Sequence, residues 1–120
     1  MSGIIATNTT LSRADLKTNP NIVEEIGAGG LSGSPLTTRS RMVVKQLHEE
    51  LKGQVPIIGV GGVMCGEDAW QMILAGASLV QVYTGFIYGG PGMVRDINRH
   101  IVSKLKQGGF SNVAEAIGTG

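Results

Sequence analysis

The chain has 120 residues, ten Lys/Arg against nine Asp/Glu, 42% apolar side chains and 19 glycines, where an average usage of about 7% gives roughly 8. Its length bounds it to one small domain over residues 1–120. The charges are scattered singly, leaving no basic stripe to grip a nucleic-acid backbone, and no apolar run approaches the ~18 residues of a membrane span.

Gly3-Ile4-Ile5-Ala6-Thr7 opens the chain as a short β-branched run that reads as a strand buried on both faces. It ends in Asn8-Thr9-Thr10. The aperiodic stretch Thr10–Pro35, at roughly 25 residues, exceeds the ~12–15 beyond which a loop is usually functional or disordered, and reads as a binding loop with a helical turn over Ile22–Ile26. Thr38–Lys52 has helical period: Val43, Val44, Leu47 and Leu51 form one stripe opposite Arg41, Lys45, His48 and Lys52, Thr37 or Thr38 serves as N-cap, and Gly53 stops it. Val55–Val60 is the second buried strand. Glu67–Ala75 is a helix with two acids in its first turn, ending at Gly76. Ser78–Thr84 is a third strand that alternates through Gln81. Pro91–Gln107 aligns Val94, Ile97, Ile101 and Leu105 on one face and stops at Gly108-Gly109. Val113–Ile117 closes the chain as a short helix, with Asn112 and Glu115 at capping-box spacing.

Strand and helix therefore alternate, the pattern of right-handed βαβ units and a parallel sheet. An open doubly wound sheet and a closed (β/α)8 barrel both fit it. In either, ligands bind where strands end, and the strand ends here are polar or glycine-rich.

Gly59-Val60-Gly61-Gly62 lies between a strand and a helix, where glycines let backbone N–H groups approach an anion. It lacks the dinucleotide-binding spacing, because the glycines run too close together. Tyr83-Thr84-Gly85 ends the next strand, and two adjacent loops of this kind read as a phosphate site. Gly29-Gly30-Leu31-Ser32-Gly33 is either a second cradle or a tight turn feeding Pro35. Thr7-Asn8-Thr9-Thr10 either orients a small polar ring or forms a local turn. His48 and His100 fall on charged helix faces and read as surface residues, and no metal-ligand spacing exists. The single cysteine, Cys65, reads as packing and Trp70 as core or partner-facing. Ser32 has no visible base partner, so the chain offers binding groups but no catalytic acid, base or nucleophile.

Five ordered segments closely resemble the C-terminal part of class 2, quinone-dependent dihydroorotate dehydrogenases. They are Ile4–Thr10, Gly29–Leu36, Val55–Val63, Ala75–Gly85 and Gly90-Pro91. The resemblance implies a (β/α)8 barrel of which these are the last three βα units, holding FMN over dihydroorotate at the C-terminal face. Thr7, Gly33, Gly62, Tyr83 and Thr84 would contact FMN, with Ser32 and Gly61 adjacent, and Asn8 and Thr9 would hold the orotate ring. The family oxidises dihydroorotate to orotate in pyrimidine synthesis and passes electrons to a membrane quinone. It does so as a peripheral protein of the cytoplasmic membrane face, through an N-terminal helical hairpin with no match here, so this chain alone would be cytoplasmic. The catalytic Ser and a flavin-side Lys belong to earlier loops and also have no match, which implies an inactive isolated chain. Three parallel strands with helices on one side would leave an open inner face and two sheet edges, a route to self-association.

Overall fold

The computed structural model describes residues 2–7 and 36–120. The expected helical turn over Ile22–Ile26, the Gly29–Gly33 cluster and Asn8-Thr9-Thr10 lie outside the described residues.

Three parallel strands, β1 (Ile4–Ala6), β2 (Ile57–Val60) and β3 (Leu79–Gln81), pair in the order β1-β2-β3. Ile5 stands opposite Ile58, and Ile58 opposite Leu79. β2 begins later than the β-branched run suggests, because Pro56 has no N–H for the ladder. Its carbonyl instead accepts from the Ile4 amide at 3.0 Å.

The connections are helical: α1 (Thr37–Leu51), α2 (Gly66–Ala75), α3 (Thr84–Gly89), α4 (Met93–Gly108) and α5 (Val113–Ala116). The alternation of each strand decides what the helices cover. Ile57 and Ala6 point toward them and are buried with Val44, Ala69, Met72 and Ile97. At Gly59 a Cβ would run into Met72 Cγ and come within 3.0 Å of Ala77 Cβ, so the bare backbone lets α2 lie directly on β2. The opposite face carries the row Ile5, Ile58 and Leu79, whose outer members are 62% and 64% exposed. Among the described residues no helix covers this row.

A second cluster forms where α2, α4 and α5 meet, with Trp70 buried beside Ile73 and Ala116 and edge-on to Phe110 at 6.2 Å between ring centres. Trp70 is thus a core residue. The chain's last residues close the end of α2, the Gly118 amide donating to the Ile73 carbonyl at 3.1 Å and the Gly120 amide to the Leu74 carbonyl at 3.0 Å.

Several local expectations are corrected. The third strand, expected over Ser78–Thr84, spans only Leu79–Gln81, and Thr84 instead begins α3. α4 starts at Met93 behind Gly92, two residues after the expected start at Pro91, and Lys52 closes α1 in a left-handed conformation one residue before Gly53. Neither histidine is a free surface group. The His48 ring is half-buried against the backbone of Gly76 and Gly118, where a Cβ would collide with it. His100 Nε2 lies 2.9 Å from Glu67 Oε2, which also faces Lys104 Nζ at 3.4 Å. The cause is shared: each charged helix flank faces a neighbouring segment that single-helix periodicity does not reveal. Glycine at 66 admits the close approach of α4 at His100. Among the described residues no helix is long and apolar enough to cross a membrane.

Candidate functional site

The C-terminal ends of the parallel strands form one rim. Thr7 follows β1, its amide donating to the Val60 carbonyl at 2.7 Å. Its hydroxyl lies 2.8 Å from the hydroxyl of Ser40 on α1 and 3.5 Å from the Val60 carbonyl.

After β2 the chain turns through Gly61 (φ +111°) and Gly62 (φ +73°). A Cβ on Gly61 would sit 2.5 Å from Ser40 Oγ and 3.3 Å from Thr7 Oγ1. On Gly62 it would strike the backbone nitrogen of Thr37 and lie 2.5 Å from its Cα. The first turn of α1 therefore lies directly against this turn, and glycine is the residue that allows both the contact and the positive φ. Thr37 does not cap α1, as the sequence suggested. Leu36 occupies that position without a side-chain cap, and the Thr37 hydroxyl donates to the Gly62 carbonyl at 2.6 Å. Tertiary contact has redirected a local capping group.

The glycine turn was expected to place its anion at the start of the following helix. That start is already neutralised: α2 has Cys65 at its N-cap, Glu67 and Asp68 in its first turn, and the Asp68 carboxylate accepts from the Met64 amide at 3.0 Å. Cys65 Sγ points to the same carboxylate oxygen at 3.5 Å. Hydrogen bonds from Gln71 and His100, with Lys104 beside them, hold the Glu67 carboxyl at about 2, well below its ordinary value near 4.5. The Gly62 and Val63 amides of this turn, both in buried residues, donate to no described residue. Amides of such a turn can serve phosphate oxygens, and no described carboxylate competes for them.

The adjacent turn meets this one. Buried Gly85, second residue of α3, lies so close to the Val63 carbonyl that a Cβ would collide with it, and 3.3 Å would separate that Cβ from Met64 Cα. Tyr83, immediately before α3, is 71% exposed at the same end. Of the sequence-predicted site residues, the structure thus gathers Thr7, Gly61, Gly62, Tyr83 and Thr84 on one rim. Asn8, Thr9, Ser32 and Gly33 lie outside the described residues.

Ser40 escaped the sequence reading, yet a signal existed. It occupies i relative to Val44, Leu47 and Leu51 at i+4, i+7 and i+11, a hydroxyl on the apolar stripe.

A parallel βα array with two touching glycine turns at its strand ends is the α/β arrangement in which barrels and doubly wound sheets carry their ligand sites. The family model for dihydroorotate dehydrogenase matches residues 1–105. The quinone-type dihydroorotate dehydrogenase of Corynebacterium efficiens is 49% identical over 120 residues, covering 100% of this chain and 32% of that protein. That of Nostoc punctiforme is 51% identical over 124 residues, covering 98% and 32%. A crystal structure of the Eimeria tenella enzyme in complex with ferulenol superposes with a TM-score of 0.89 at 41% identity, covering 99% of this chain and 31% of that one. The chain belongs to the dihydroorotate dehydrogenase family, and its three βα units are a portion of the family's barrel. It spans about a third of the length of the curated relatives it matches.

Proposed function

We propose that this chain supplies the phosphate-holding and substrate-ring-facing part of a quinone-dependent dihydroorotate dehydrogenase, an oxidoreductase that converts dihydroorotate to orotate with FMN. FMN, when bound, supplies the two-electron chemistry of the oxidation. The observation that carries this reading is the meeting of the Gly61-Gly62 and Tyr83–Gly85 turns, with the Gly62 and Val63 amides undonated among the described residues. Backbone donors of this kind bind a phosphate without losing side-chain entropy. Tyr83 and Thr84 complete the phosphate end, and Thr7 adds a hydroxyl already held by Ser40. Ser32 and Gly33 extend the FMN contacts, while the Asn8 carboxamide and Thr9 hydroxyl pair with the donors and acceptors of the pyrimidine ring.

Among the described residues at the rim, the Asp68 carboxylate is engaged by the Met64 amide at 3.0 Å and faces Cys65 Sγ at 3.5 Å. His100 is committed to Glu67, and His48 sits by the C-terminal ends of α1 and α2, opposite the rim. Because the catalytic Ser and flavin-side Lys that the resemblance implies have no match in this chain, we infer that on its own it binds flavin and orotate without turnover. Titrating FMN and then orotate, followed by an assay of dihydroorotate oxidation with a quinone acceptor, tests this. The expected result is an orotate-perturbed flavin spectrum with no oxidation above blank. Absence of flavin binding contradicts the reading, and turnover contradicts the missing base.

The exposed row of Ile5 and Leu79 favours a second reading, a non-catalytic partial barrel that self-associates by pairing the β3 edge of one copy with the β1 edge of another. Sedimentation velocity decides it: a single monomer boundary across a hundredfold concentration range would rule it out.

A further inference from the structure

Among the described residues Ser40 is the one buried polar side chain, with an exposure of 0%. A serine there needs an explanation. Alanine fits the same space, forms helix better by about 0.5 kcal/mol, and carries no hydroxyl to desolvate. The single partner recorded for the Ser40 hydroxyl is Thr7 Oγ1, at 2.8 Å. A hydroxyl has one proton and two lone pairs, so the bond to Ser40 fixes how Thr7 presents what remains. The same pair fills the space beneath Gly61 that a side chain would otherwise occupy.

Resting on the flavin reading above, we propose that Ser40 is a positioning residue: through its hydrogen bond it orients the Thr7 hydroxyl toward the bound flavin. It touches no ligand itself. The helix that covers the sheet thereby sets a rim group's orientation from one turn inside its own N-terminus.

The test is a double-mutant cycle in the full chain with Ser40→Ala, Thr7→Ala and both together. FMN dissociation constants are read by quenching of flavin fluorescence, and flavin-free stability by thermal melting. Ser40→Ala should raise the dissociation constant about 3- to 10-fold, the range of one lost hydrogen bond. It should leave the flavin-free melting nearly unchanged. In the Thr7→Ala background the same change should have no further effect on binding, and Ser40→Thr should restore part of the affinity. Should Ser40→Ala not fold, Ser40→Cys, slightly larger but of the same shape, weakens the hydrogen bond and carries the same comparison. A loss that persists undiminished in the Thr7→Ala background would overturn the proposal by showing a purely structural effect. Flavin binding insensitive to Ser40 substitution would overturn it and leave the flavin reading intact. A wild-type chain that binds no FMN would overturn both.

Discussion

Gly62 and Gly109 have almost the same backbone angle, φ +73° and +74°, but different surroundings. At Gly109, the C-cap of α4, an added Cβ meets nothing within 4 Å, whereas at Gly62 it strikes the Thr37 backbone. Substituting alanine at each separates conformational strain from collision. Gly109→Ala should cost only the left-handed conformation, about 1 kcal/mol. Gly62→Ala carries that cost, about 2 kcal/mol more from overpacking, and about 1 kcal/mol if the Thr37-to-Gly62 hydrogen bond is broken. The total, about 4 kcal/mol, is most of the stability of a marginal small domain. Urea unfolding monitored by circular dichroism should show the Gly109 variant with a midpoint lowered by less than about 1 M and the Gly62 variant largely unfolded before denaturant is added. Equal losses would refute the claim that α1 lies against this turn, and with it the geometry of the rim.

Four further outcomes follow from the packing. Glu67 has its carboxyl held at about 2, first by Gln71 and then by His100, against an ordinary value near 4.5. Its stabilisation is therefore complete above 4.5 and is lost as pH falls toward 2. With its side chain 45% exposed, solvent screening limits the effect to about 1 kcal/mol or less. Glu67→Gln should flatten the acid limb of the stability profile over that window, and an unchanged limb would refute the pairing. Trp70→Ala should cost about 3–5 kcal/mol in denaturant unfolding, since a large buried ring is lost. Phe110→Ala should shift the emission of the chain's single tryptophan to longer wavelength, and an unshifted spectrum would contradict the edge-on contact. Leu79→Lys, on an exposed strand position, should change stability by no more than about 0.5 kcal/mol. A large loss would show that this sheet face is covered in the folded chain.

The alternation of β-branched runs and amphipathic helices made the parallel βα order readable before the structure, because period and glycine punctuation are local signals. The rim was readable in part. Gly61, Gly62, Tyr83 and Thr84 stand at strand ends in sequence as they do in space. What was hidden depends on contacts across long separations. Thr37 looked like a helix cap, and only the approach of Gly62, 25 residues away, shows where its hydroxyl goes. Ser40 and Thr7 are 33 residues apart, and a serine inside a helix reads as neutral until its partner is known. α3, six residues of which two are glycine, is too short to display a period. The histidines were misread because the periodicity of one helix cannot register a second helix against its flank.

The central claim is that this rim holds the phosphate of a flavin mononucleotide. Parallel titrations of the chain with FMN and with riboflavin, the same ring system without the phosphate, test it most directly. FMN should bind at least about tenfold more tightly, a difference of about 1.4 kcal/mol. Equal affinities for the two would contradict it.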